Sequence, residues 1–210
     1  MPTETLEFEE PIAPNTEKAT FRLESGAGRF VIRDTTSQLV KAETESNFGK
    51  YSLTQEQSDN SAFVTLEFRG RNRGWHFGNG RNHVDVRLNP IPVWTINIQV
   101  GAASGDFDLS PFKVEELRLD AGASSMNVRL CDRSEETRVR VKTGAASTTI
   151  EIPESVGCEV RLQTALSGKR LRGFDKISNS RYQTSNFDSA SKKIYIDVSA
   201  GVSQIRVDRY

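Results

Sequence analysis

The chain has 210 residues, with 28 Lys+Arg against 28 Asp+Glu and a formal net charge of +0. Hydrophobic residues make up 36% and charged residues 27%, which suits a folded domain with a thin core and excludes a wholly disordered chain. The balanced charge argues against nucleic acid held by a global basic field, and no apolar run approaches the roughly 20 residues of a membrane-crossing helix.

Residues 1–20 carry Pro2, Pro11 and Pro14 in an acidic context, MPTETLEFEE at the start, and read as an N-terminal tail or linker. Residues 21–210 read as one all-β domain. Phe21, Leu23, Gly26, Phe30 and Ile32 open it with a strand, turn, strand pattern. Residues 33–62 are polar and less regular. A possible further rung has Leu66 and Phe68 before its turn and Phe77 after it, without a glycine.

Residues 75–88, WHFGNGRNHVDVRL, read as a hairpin around Asn79-Gly80, a strong two-residue turn signal. That register sets Trp75, Phe77, Val84 and Val86 on one face. His76, Arg81, His83 and Asp85 take the other, where two imidazoles and a carboxylate suggest a divalent metal or a solvated polar face. Upstream, Arg69, Arg71 and Arg73 precede Trp75. This basic segment is a candidate contact for anionic groups.

The most informative feature is a repeat. INIQVGAASGDFDL, LRLDAGASSMNVRL and VRVKTGAASTTIEI align without a gap, with Gly101, Gly122 and Gly144 at steps of 21 and 22 residues. With glycine as position zero, apolar residues stand at −5, −3, +6 and +8. Val160, Leu162 and Leu171 extend the series around Ala165, and Ile196, Val198, Gly201, Ile205 and Val207 close it. Period-2 alternation on both sides of each glycine means strand, turn, strand. A repeat of about 21 residues is one rung of a stacked solenoid, since a single rung cannot bury its own apolar face. The expected fold class is therefore all-β, a single-stranded β-helix or solenoid, most regular over 93–171. The glycines are expected to supply positive φ at each corner. A phosphate-cradling role is disfavoured because strands, not helices, follow them. Residues 173–193 read as a polar insertion, a loop or short hairpin lengthening one rung.

Position −4 lies between two buried positions and points outward. Down the chain it reads Arg22, Asn97, Arg118, Arg140, Arg161 and Asp197. Stacking in chain order sets Arg118, Arg140 and Arg161 about 5 Å apart in one column. Like charges directly opposite one another repel, so either Glu115, Glu116, Asp120 or Glu136 offsets them, or the column binds an anion. No carboxylate pair at one level suggests glycoside chemistry. Both histidines fall in the hairpin, so a Ser-His-Asp site is not expected. Cys131 and Cys158 fall in different columns and should not bridge. No enzyme activity, cofactor or metal is expected.

The segment WTINIQVGAASGDFDLSPFKVEELRLDAGASSMNVRL, followed by TGAASTTIEIPESVG and preceded by FRLESGAGRFVIRD, resembles the C-terminal toastrack domain of LiaF-like proteins of the bacterial cell-envelope stress response. The resemblance spans about residues 20–210. It implies a non-enzymatic regulatory domain acting on a sensor kinase, tethered through transmembrane helices that would lie upstream. The expected partner is thus a protein or an anionic envelope component, on an unspecified side of the membrane. The alternative is a structural or adhesin-like solenoid that assembles with itself as a homo-oligomer.

Overall fold

The computed structural model of the protein describes residues 2–70 and 80–210. Among the described residues every regular element is a strand, and the strands form one 13-stranded sheet. In chain order they are β1 (Glu4–Glu10), β2 (Lys18–Thr35), β3 (Val40–Ser46), β4 (Gly49–Ser58), β5 (Ser61–Gly70), β6 (Asn82–Leu88), β7 (Val93–Asp108), β8 (Lys113–Arg129), β9 (Glu136–Ile152), β10 (Gly157–Leu171), β11 (Phe174–Lys176), β12 (Arg181–Thr184) and β13 (Lys193–Arg209).

The long strands β2, β7, β8, β9, β13 and β10 are the repeats. They pair in parallel along their length, so equivalent side chains form columns. Each has two limbs that meet at position zero, a glycine in every one but β10, where Ala165 stands. In β7 the inward residues are Trp94, Ile96, Ile98 and Val100 before Gly101, then Phe107 after it, with Leu109 just beyond the strand. The inward columns of both limbs belong to one hydrophobic cluster. Burying an aliphatic or aromatic side chain contributes about 1.5–3 kcal/mol, so stability accrues rung by rung.

The corner glycines act through close approach rather than positive φ. Among the described residues only Gly173 has a positive φ for a glycine. A Cβ on Gly122 would stand 2.7 Å from the Gly101 carbonyl oxygen. On Gly144 it would stand 2.8 Å from that of Gly122, and on Gly201 2.7 Å from that of Gly144. The glycines therefore stack backbone on backbone at the bend.

The rungs do not stack in chain order. The last strand, β13, lies between β9 and β10. Its inward residues Ile194, Ile196 and Val198 fit any slot in the stack, because all rungs share one pattern. The first limb of β10 pairs on its far side with β12, which turns back through the short β11–β12 hairpin. The 173–193 insertion is thus a hairpin that occupies the outer edge of β10 and leaves its inner edge for β13.

At the other end the two limbs of β2 diverge. The first limb is extended by β5 and then β4. The second is extended by β6, β3 and β1. Residues 4–10, expected within a tail, form β1 because Leu6 and Phe8 alternate inward against β3. In the further rung Val64 and Leu66 stand beside Phe21 and Leu23, a slip of two residues from the expected Leu66 and Phe68. Both registers keep the same alternation, and the observed one is held where the Glu17 and Lys18 amides donate to the Asn60 carbonyl of the β4–β5 turn at 2.8 and 3.2 Å. Phe77 lies outside the described residues.

The partner half of the expected 75–88 hairpin, Trp75 to Asn79, lies outside the described residues. The other half is β6, with Val84 and Val86 buried as expected. Both edges of β6 are filled, by β3 and β2. Its neighbours close the core: the Tyr51 hydroxyl donates to Asn82 Oδ1 at 3.0 Å and lies 2.8 Å from Ser25 Oγ. Burial pushes the Tyr51 phenol above its ordinary pKa.

Candidate interaction surface

The outward face of the first limbs carries the predicted arginine column, but the strand order changes it. Across the stack it reads Arg22, Asn97, Arg118, Arg140, Asp197, Arg161. Arg118 and Arg140 are neighbours as expected. Arg161 is not next to Arg140, because Asp197 of β13 stands between them. The uninterrupted three-arginine strip is therefore corrected to a mixed-charge column.

Carboxylates match the remaining arginines. Arg118 donates through Nε and Nη2 to the two oxygens of Glu116, each at 2.8 Å. Arg140 Nη1 lies 3.2 Å from the same carboxylate. Glu116 thereby offsets the repulsion between the two guanidiniums, and it holds Arg118 above its ordinary pKa. Arg161 donates to Glu159 at 2.8 Å, and Gln183 at 2.6 Å. Glu159 is only 4% exposed, so these donors satisfy a carboxylate that burial would otherwise penalise. Exposed pairs such as Arg138–Glu136 at 2.7 Å contribute about 0–1 kcal/mol each.

Of the second predicted cluster, Arg69 lies at the end of β5. It donates to Ser52 Oγ at 3.0 Å and to Glu67 at 3.1 Å, well away from the column. Arg71, Arg73 and Trp75 lie outside the described residues, as does His76. Among the described residues no three His, Cys, Asp or Glu side chains are placed to hold a metal. Cys131 and Cys158 are free thiols. Burial raises both above the ordinary thiol pKa, which disfavours the nucleophilic thiolate.

Sequence reasoning missed the groove beside the bend. Position zero bears no side chain, and position −2 points outward. Together they open a shallow, solvent-open groove of about 830 Å³, lined by Glu24, Gln99, Asp120, Lys142 and Ser199, with Gly122 and the position −1 residues Ser25, Val100, Ala121 and Thr143 as its floor. The groove crosses five strands at right angles to them. Its signal in the sequence is the glycine column itself, once position −2 is read across the rungs.

A family model and a solved structure agree with this architecture. A family model for the N-terminal domain of toast_rack, DUF2154, matches residues 3–151. The crystal structure of a candidate cell adhesion protein from Clostridium sporogenes ATCC 15579 superposes with a TM-score of 0.85 at 21% identity, covering 99% of this chain and 100% of that one. A candidate adhesin from Bacteroides fragilis NCTC 9343 matches at a TM-score of 0.33 and 9% identity, covering 98% and 97%. No curated protein matches. Among the described residues no helix is long and apolar enough to cross a membrane. The match over 3–151, together with glycine-cornered rungs in one continuous sheet, shows that the chain belongs to the toast_rack family and folds as a β-solenoid.

Proposed function

We propose that this solenoid is a non-catalytic interaction domain, and that in a membrane-tethered parent it docks a protein partner, a sensor kinase of the envelope-stress response being the partner that the LiaF-like resemblance suggests. The groove across five strands carries this reading. Its rim carries both signs of charge, Glu24 and Asp120 against Lys142, and its floor is mostly small residues beside Val100. An extended polypeptide with both signs of charge fits such a surface better than an anionic polymer, because Glu116 and Glu159 already occupy the neighbouring arginines. Rim charges act mainly on specificity and association rate.

The test reverses the groove charges in one variant, Asp120→Lys with Lys142→Glu. Binding of the full chain to the soluble portion of the cognate envelope-stress kinase is measured by interferometry. The reading predicts at least a tenfold loss of affinity with an unchanged circular dichroism spectrum. Binding equal to wild type refutes the groove as the docking surface.

A second reading, a solenoid that assembles with itself as adhesive or structural domains do, is favoured by opposite charges at the two edges of the second limbs, Glu7 and Glu9 on β1 against Arg170 and Arg172 at the end of β10.

A further inference from the structure

The second limbs of the sheet end in two strand edges without a strand partner among the described residues. One is the outer edge of β1, since β1 ends the sheet. The other is the second limb of β10, which pairs with β13 alone beyond Arg161. Unpaired edges are templates for strand addition.

The outward column that joins these edges is polarised. It reads Glu7, Glu43, Asp85, Val31, Asp106, Asn127, Thr149, Arg206, Arg170 across successive strands. Acids gather at the β1 end and arginines at the β10 end. Glu7 and Glu9 share one ammonium, that of Lys41. Arg170 makes no ion pair among the described residues. Arg172, just past β10, is 3.5 Å from Asp208.

We propose that the β1 edge of one copy adds to the β10 edge of a second copy, head to tail, continuing the second-limb sheet. This rests on the self-assembling reading and gives it a surface. β1 is antiparallel to β3, β3 is antiparallel to β6, and β6 is parallel to β2. β1 therefore runs in the same direction as β10. Continuing the columns sets Glu7 beside Arg170 and Glu9 beside Arg172 on the outside. On the inside it sets Phe8 beside Leu171, both half-buried at the ends of the same apolar column. The opposite charges, the strand direction and the apolar column agree on one register. The contact is heterologous, so it propagates into open chains rather than closing a dimer. It is small, so association is weak and concentration-dependent.

Sedimentation velocity from micromolar to millimolar concentration tests it, with two variants. Glu7→Lys with Glu9→Lys makes both edges basic; Arg170→Glu with Arg172→Glu makes both acidic. Lys169 is left intact because its ammonium bonds the Tyr182 hydroxyl at 2.5 Å. Wild type is expected to lengthen with concentration and to dissociate as salt rises. Each variant alone should remain monomeric, and an equimolar mixture should assemble again. Variants that associate like wild type, or a wild type indifferent to salt, overturn this surface while self-assembly stands. A wild type that is monomeric throughout overturns both.

Discussion

Trp94→Ala is expected to destabilise the domain by about 3–5 kcal/mol, the range for deleting a fully buried large aromatic side chain. Trp94 is the first inward residue of β7 and is 0% exposed. Its Nε1 donates to the Asn89 carbonyl at 2.8 Å. The Asn89 side chain in turn donates to the carbonyls of Thr36, Ser37 and Gln38 at 3.3, 3.2 and 3.0 Å. One indole therefore fills the core and fixes the turn that closes the second limb of β2. Against a typical domain stability of about 5–15 kcal/mol, the loss leaves a marginal fold. Urea unfolding followed by circular dichroism measures it. Trp94→Phe keeps most of the volume and loses the hydrogen bond, so its cost should fall to about 1–3 kcal/mol. Equal costs for the two variants would show that packing at this site matters little.

The second large effect separates two explanations of the corner glycines. Gly→Ala at a compatible backbone position usually stabilises by about 0.4–1 kcal/mol through the unfolded chain. At Gly122 and Gly144 the sign should reverse, because the new Cβ meets a carbonyl oxygen at 2.7 and 2.8 Å. A carbonyl held in a parallel ladder cannot move without moving its strand, and overpacking of this kind costs about 1–3 kcal/mol. Gly26 occupies the same column but has nothing within 4 Å of the added Cβ. Gly26→Ala should therefore be neutral or slightly stabilising. Equal damage at all three sites, read by thermal unfolding, would return the explanation to backbone conformation.

The regular part of the fold was legible because its chemistry repeats. Gly101, Gly122 and Gly144 recur with apolar pairs on either side, and the ladders place those pairs in the inward columns. The toast_rack membership and the all-β solenoid follow from the same residues. The β1–β3–β6 extension was less legible. The inward side of β3 is Val40, Ala42, Thr44 and Ser46, all buried. Half of that set is polar, so the strand reads as loop. The position of β13 was not legible at all, since neighbour identity depends on where the 173–193 hairpin lies rather than on the rung pattern. That one exchange of neighbours turned the expected Arg118, Arg140, Arg161 strip into a column interrupted by Asp197. Glu116, by contrast, was foreseen among the carboxylates that could offset Arg118 and Arg140. The arginine-rich stretch at Arg69 shows the limit of composition: Arg69 donates to Glu67, two residues upstream in the same strand, and to Ser52 Oγ of the neighbouring strand β4.

The far part of every column described above, from Asp197 in the mixed-charge face to Arg206 and Arg170 at the basic end, depends on β13 lying between β9 and β10. Cysteine pairing reads that order directly, because a disulfide needs Cα atoms about 4.4–6.8 Å apart. Adjacent strands meet this, and strands two apart, at about 9.6 Å, do not. In a Cys131→Ser background, Arg140→Cys with Asp197→Cys should close a disulfide on mild oxidation, seen as a mobility shift that reductant reverses. Arg140→Cys with Arg161→Cys should stay reduced. The opposite result, with 140 bridging to 161 and not to 197, would restore chain-order stacking and contradict the account.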